Sequence, residues 1–233
     1  MGNHLLAALA ADEMRRLREH LEPVPLARRA TLHEGGGRLR FAYFPTSAVI
    51  SLIHVASDGG TAEVGVVAND GLLGLTTLLG GSAPLRAVVR SAGYAHRIRL
   101  APLRAEFQRG ARLHRVVLRY ACTAIFQVAQ TAACNRRHSV DQQLCRWLLA
   151  GIDRMRANEL MTTQEGIASL LGVRREGVTE AASRLQKAGL IRYSHGRIAV
   201  LSRAKLEARA CECYKLLRAE TDRLVRDLYA VRI

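Results

Sequence analysis

Residues 162–200 read TTQEGIASLLGVRREGVTEAASRLQKAGLIRYSHGRIAV, and the fold follows from this stretch. Thr162 or Thr163 can cap a first helix, and the spacing Thr162-x-x-Glu165 fits a capping box. Ile167, Leu170 and Leu171 fall on one face of that helix. Gly172 then supplies the backbone freedom that lets two helices cross steeply. In the second helix Val178, Ala181, Ala182 and Leu185 form an inward stripe, and Arg175, Glu176, Thr179, Glu180 and Ser183 point the other way. Beyond Gly189, residues 190–193 and 197–200 alternate as two short strands around Ser194-His195-Gly196. Two short helices followed by a hairpin is the winged helix-turn-helix pattern.

Such a trio also builds ordinary small cores, so charge has to decide. Between Gly172 and Lys205 stand eight basic residues (Arg174, Arg175, Arg184, Lys187, Arg192, Arg197, Arg203, Lys205) and two acidic ones, Glu176 and Glu180, a net +6. A surface that neutralises several phosphates at once releases counterions and binds polyanions. The side chains at the start of the second helix are those that read base edges from the major groove, arginine for guanine and glutamate for cytosine. Double-stranded DNA is therefore the expected partner. The contact set on this reading is Thr163, Gln164, Arg174, Arg175, Glu176, Thr179, Glu180, Ser183 and Arg184, with His195 and Arg197 from the wing.

The whole chain agrees. Its 233 residues suffice for one large or two modest domains, and 49% hydrophobic with 24% charged residues is a globular composition. A formal charge of +15 and a pI near 10.7 favour a polyanionic partner. Five cysteines (Cys122, Cys134, Cys145, Cys211, Cys213) are odd in number, scattered and without a CxxC pair. They indicate a reducing, cytoplasmic setting. Cys211-x-Cys213 falls in the closing helical stretch, where its two thiols would point to different sides, which argues against a zinc or iron–sulfur site. Buried, inert thiols are expected, with neither metal nor cofactor.

Read in order, Leu5 to Leu21 forms an amphipathic helix closed by Pro23 and Pro25. Short β-branched and aromatic runs follow, broken at Pro45-Thr46-Ser47, Asp58-Gly59-Gly60 and Asn69-Asp70-Gly71, and they continue through Arg86–Arg90 to Leu100. Strands spaced near ten residues make a small barrel or jelly roll. From Leu103 to Cys134 the period is helical, and from Val116 onward almost every position is apolar or small. Arg119, Gln127 and Gln130 argue against a membrane span, so this helix needs cover on more than one side, from the barrel and from a second subunit. Asn135-Arg136-Arg137-His138 reads as a hinge, Ser139 to Arg156 as a helix under the winged domain, and Arg203 to Arg232 as a closing helix.

This order of elements, with G-V-R-R-E-G-V-T at the second helix and the strings FPTSAVISL and EVGVVANDGLLGL in the strand-rich half, resembles the Crp/Fnr family of bacterial transcription regulators. The resemblance implies an α+β chain in three parts. Residues 1–102 would be a cyclic-nucleotide-binding-like β-roll, 103–137 a long dimerisation helix and hinge, and 138–233 the winged helix-turn-helix domain. It implies a homodimer on a palindromic operator, an effector in the roll, and RNA polymerase as a partner if the protein activates. Arg175 and Glu176 match the family's base-reading pair. Glu180 stands where well-studied members have arginine, which should alter the base read, and Arg174 replaces a usual capping serine.

The effector pocket departs further from the family. A Gly-Glu pair for ribose corresponds here to Gly74-Leu75, which cannot accept a hydroxyl, and an Arg-Ser pair for phosphate corresponds to Arg86-Ala87, with Arg90-Ser91 as a displaced version. Cyclic AMP is not the expected effector, whose identity stays open. An N-terminal cysteine cluster for an iron–sulfur centre is missing. His54, His96 or His114 could serve as a haem axial ligand, although a lone histidine is more often an ordinary surface or hydrogen-bonded residue. Two other functions compete. One is a metal-dependent enzyme on the barrel, for which His33, His54 and His96 are far apart with no carboxylate at ligand spacing; the other is a winged helix that binds protein. No nucleophile–base constellation emerges, and the chain is read as a regulator rather than an enzyme.

Overall fold

The computed structural model describes residues 2–155 and 158–230. They divide into two compact units. One comprises Met1–Leu52, Gly65–Phe126 and Glu220–Ile233; the other comprises Ile53–Val64 and Gln127–Ala219.

The first unit opens with two short helices, α1 (His4–Ala7) and α2 (Ala11–Arg18), where the sequence pattern suggested one. Local caps divide them. The buried Asn3 side chain accepts the N–H groups of Leu5 (3.0 Å) and Leu6 (3.2 Å) and donates to the carbonyls of Pro45 and Gly71. Glu13 accepts the N–H of Ala10 at 3.2 Å and restarts the helix. Pro23 and Pro25 do more than end a helix, since they lie within strand β1 (Glu22–Leu26). That strand is the edge of its sheet, where a missing N–H costs no ladder bond.

Six more strands complete the roll among the described residues: β2 (Thr31–His33), β3 (Phe41–Pro45), β4 (Val49–Val55), β5 (Thr61–Val67) and, after the short helix α3 (Leu75–Leu78), β6 (Arg86–Ser91) and β7 (Gly93–Arg99). They form two sheets, ordered β1-β7-β3 and β2-β6-β4-β5. Phe44, Ile50, Ala87, Val89 and Ile98 belong to the core of this unit. The turn at Asp58-Gly59-Gly60 forms as expected. Gly59 has φ +84°, and the N–H of Ala56 donates to the carbonyl of Gly60 at 2.8 Å.

The helical run expected from Leu103 to Cys134 is two helices, α4 (Leu100–Gln108) and α5 (Arg112–Arg137), parted at Gly110 with φ +71°. On α5, Val116, Val117 and Tyr120 are buried in the core. Arg119 has a structural reason to interrupt the apolar run: it pairs with Glu220 (2.9 Å) and Asp227 (2.6 Å) of the last helix. A further face of α5 carries Leu118, Cys122, Ile125 and Val128 exposed. No described helix is long and apolar enough to cross a membrane.

In the second unit α6 (Val140–Met155) buries Leu144, Trp147, Leu148 and Ile152, the expected stripe; Arg156, its expected end, lies outside the described residues. Strand β8 (Glu159–Met161) leads to α7 (Gln164–Leu171), α8 (Arg175–Lys187), β9 (Ile191–Ser194) and β10 (Arg197–Val200). The sheet has three strands, β8-β10-β9, of which the sequence pattern showed only the last two. The closing helix is broken into α9 (Arg203–Arg209) and α10 (Cys213–Ala230); Arg232 lies outside the described residues. The break falls at Ala210, whose ψ of 150° is extended. Arg203 ties the unit together, reaching Asp153 (2.7 Å), Glu207 (2.8 Å) and the Tyr214 hydroxyl (2.6 Å).

Candidate nucleic-acid interface

Of the two caps proposed for α7, Thr163 is the one used: its hydroxyl accepts the N–H of Gly166 at 3.0 Å. Ile167 and Leu171 turn inward, and Gly172 ends the helix in the left-handed region at φ +66°. Leu170 is half-buried against the same core. Helix α8 then starts at an Arg174 cap that makes no side-chain hydrogen bond, as the absence of a capping serine implied. Its Val178, Ala181, Ala182 and Leu185 are all buried, at 3% exposure or less, so the rotation of the helix is fixed by packing. That rotation leaves Arg175, Glu176, Thr179, Glu180 and Ser183 exposed along one face.

One of these side chains is braced. The Thr179 hydroxyl donates to Gln164 Oε1 at 2.8 Å, joining α7 to α8, and lies 3.0 Å from the carbonyl of Arg175. Arg175 lies 3.9 Å from Glu165, a pair in which both side chains are about two-thirds exposed (65% and 68%). So open a contact is worth little and leaves the guanidinium free to take another acceptor. Arg184 is different. It grips Asp141 of α6 with two bonds, 2.6 and 2.9 Å, and approaches Glu180 at 3.5 Å. Its guanidinium holds the Asp141 carboxyl below the ordinary carboxylate range. Its charge, like that of Arg203, is spent inside the domain, so the +6 read from sequence overstates what phosphates would meet.

The wing closes by a two-residue turn, since Arg197 pairs with Ser194 across it. His195 (φ +47°) and Gly196 (φ +73°) both occupy the left-handed region that a type I′ turn demands. The Ser194 hydroxyl lies 2.7 Å from His195 Nδ1. His195, Arg197 and Arg192 are exposed on this hairpin. Of the eleven side chains singled out from sequence, all except the half-buried Gln164 are exposed.

Residues 142–209 match the Crp-like helix-turn-helix domain family. This segment is therefore a Crp-like helix-turn-helix domain. Beyond that domain the likeness is one of fold. A Crp/Fnr-family regulator structure from Eubacterium rectale superposes with a TM-score of 0.71 at 17% identity, covering 88% of this chain and 96% of that one. A CRP-family regulator from Thermus thermophilus gives 0.69 at 19% identity, covering 80% and 96%. The c-di-GMP responsive global regulator CLP of Xanthomonas campestris gives 0.69 at 16% identity, covering 83% and 100%. No curated protein matches the sequence.

In the strand-rich unit the expected effector residues sit as follows. Gly74 caps α3 at φ +107° with its Cα backed against Ala42, which leaves Leu75 half-buried at the start of that helix. Arg86 pairs with Glu34 at 2.9 Å and reaches Thr31 at 3.4 Å, and Ala87 is fully buried. Arg86 is thus already engaged with a carboxylate. The histidines weighed as ligands are dispersed in role. His33 Nε2 lies 2.8 Å from the Ala83 carbonyl, His114 stacks on Phe107, His54 is exposed, and burial pushes the His96 ring below its ordinary value. Among the described residues, one group of three or more metal-capable side chains does come together, and it is in the second unit: Cys134, His138, Cys211 and Cys213. Sequence reasoning missed it because it placed Cys211 and Cys213 on one helix, whereas Cys211 lies in the segment joining α9 and α10 and Cys213 opens α10.

Proposed function

We propose that this chain is a homodimeric, sequence-specific DNA-binding transcription regulator that places the start of α8 in the major groove of a palindromic operator. The observation that carries the reading is the split of α8. Its four apolar side chains are sunk in the domain core while Arg175, Glu176, Thr179, Glu180 and Ser183 stand exposed at its N-terminal and central turns, beside a basic wing. Thr163, Gln164 and Arg174 line the approach to that helix, and His195 and Arg197 extend it to the adjoining backbone. The exposed α5 stripe supports the dimer, because Leu118, Ile125 and Val128 are each more than 40% exposed on a helix otherwise rich in buried apolar contacts.

The roll is read as an effector domain whose ligand is not bound in the ribose-phosphate manner. Leu75 offers no hydrogen-bond acceptor and Ala87 no hydroxyl. Gly74, Leu75, Arg86 and Ala87 remain the positions to vary in a search for it.

The test is fluorescence anisotropy of the ligand-free protein on its own upstream DNA and on scrambled DNA across a salt series. Tight binding to the upstream DNA that exceeds the scrambled control supports the proposal. Sequence-blind binding at every salt concentration, unchanged by candidate effectors, would sink it.

A further inference from the structure

We propose that Cys134, His138, Cys211 and Cys213 form a closed, tetrahedral zinc site that fastens the end of α5 to the segment joining α9 and α10. The four ligand atoms all lie within 4.8 Å of one another, and three of the four residues are buried. Two measured edges bear on the size of the cage. Cys134 Sγ and Cys211 Sγ are 3.6 Å apart, and Cys213 Sγ and His138 Nδ1 are 3.5 Å apart. A tetrahedral ion with zinc–sulfur bonds near 2.3 Å and zinc–nitrogen bonds near 2.0–2.1 Å has edges of about 3.8 Å between sulfurs and about 3.6 Å between sulfur and nitrogen. The cage therefore fits one ion. A two-iron cluster would spread the same ligands farther, because bridging sulfides lie between them.

The surroundings are those of a metal centre. His138 turns Nδ1 to the sulfurs while its Nε2 lies 3.2 Å from Glu212 Oε1, the carboxylate–histidine pairing that fixes ring orientation and raises the basicity of the ligating nitrogen. Gln130 Nε2 donates to Cys213 Sγ at 3.0 Å, as amides do to metal thiolates. Ion binding displaces one proton from each of three thiols, and three thiolates with Zn²⁺ leave a net charge of −1. The guanidinium of Arg146, itself only 8% exposed, acts electrostatically on Cys134 and opposes that charge. Three soft sulfurs and an imidazole select zinc over magnesium or calcium, and four protein ligands leave no position for substrate, so the role is structural. The cysteines are 77 and 79 residues apart in sequence across the helix-turn-helix, and only the fold brings them together.

The test uses the full-length protein. Purified without chelator, it should contain about one zinc per chain by elemental analysis. Cobalt(II) added to the metal-stripped protein should give intense visible bands of a tetrahedral ion together with a thiolate charge-transfer band. His138→Cys preserves four ligands and should retain the ion with stronger charge transfer, and Cys122→Ser should leave the metal content unchanged. Glu212→Gln should weaken the site by about 10- to 100-fold in competition with a chromogenic chelator. Cys213→Ser should lose the ion; if that variant aggregates, the wild-type cobalt spectrum and His138→Cys decide the matter. Protein that carries no zinc and gives only the weak spectrum of octahedral cobalt, or a mass two hydrogens light from a Cys134–Cys211 disulfide in freshly isolated protein, would overturn the proposal.

Discussion

Arg175 shows how much one side chain depends on what holds it. The helix below it is locked by Val178 and Ala181, and its nearest acid, Glu165, is 3.9 Å away and well solvated. Arg175→Ala should therefore leave stability nearly unchanged, cost about 1–3 kcal/mol on the specific operator and relax discrimination at one base position, as measured by competition binding with single-base operator variants. Glu106 is the opposite case, a carboxylate with only 5% of its side chain exposed that is bound by Arg16 at 2.7 and 2.8 Å. That hydrogen-bonded pairing lowers its pKa below the ordinary 4.5. Because the folded value lies below the unfolded one, the stabilisation is fully present above about pH 4.5 and is lost as pH falls through the lower folded value. In thermal melts Glu106→Gln should be clearly less stable than the wild type at neutral pH, and the gap should close as the pH is taken progressively below 4.5. Cys145 behaves as the cysteine pattern suggested for all five: burial pushes its thiol up to about 12, and it packs as a small hydrophobe.

Among the elements, the wing and the recognition helix divide the work. On the proposed reading α8 would meet base edges, while the hairpin of β9 and β10 presents Arg197 beside a turn whose geometry is set by two left-handed residues. A backbone phosphate contact carries no sequence information. Arg197→Ala is thus expected to weaken binding to cognate and scrambled DNA alike and to reduce the slope of log affinity against log salt by about one. A selective loss on cognate DNA would instead place Arg197 against a base. The third strand, β8, anchors the hairpin by pairing Met161 with Arg197 and Leu160 with Ile198. Three residues give too short an alternation to be recognised before the partner strand is known.

For the whole molecule, the decisive surface is the exposed side of α5. Ile125 is 70% exposed, so Ile125→Glu should leave the circular dichroism spectrum and the fold of the single chain intact. It should convert a dimer to a monomer in sedimentation equilibrium and reduce operator affinity by about 100-fold or more, since avidity from two linked half-site contacts contributes that much. A variant that stays dimeric would move the interface elsewhere. The long helix also explains the polar residues that interrupt it. Arg119 and Thr123 meet Glu220, and Gln130 meets Cys213, so these three interruptions serve contacts with α10.

Local pattern was enough for α6, α7, α8 and the wing, because their apolar periods and the turns at Gly172 and His195-Gly196 are written within a few consecutive residues. The strand-rich half was legible as a class for the same reason, through Asp58-Gly59-Gly60 and the alternating runs. The sequence by itself thus determined that a strand-rich half precedes a winged helix-turn-helix, and which side chains of α8 face out. Periodicity could not show where helices break: α1 and α2, α4 and α5, and α9 and α10 are each parted by a cap or a single backbone residue, and apolar spacing runs on across such a gap. Nor could it weigh the charge of Arg184 and Arg203, since Asp141 and Asp153, their partners, lie 43 and 50 residues away. Only the tertiary structure decided that Cys134 and His138 meet Cys211 and Cys213. A ligand cage is a property of distances in space, and here the chain between its halves is the winged domain itself.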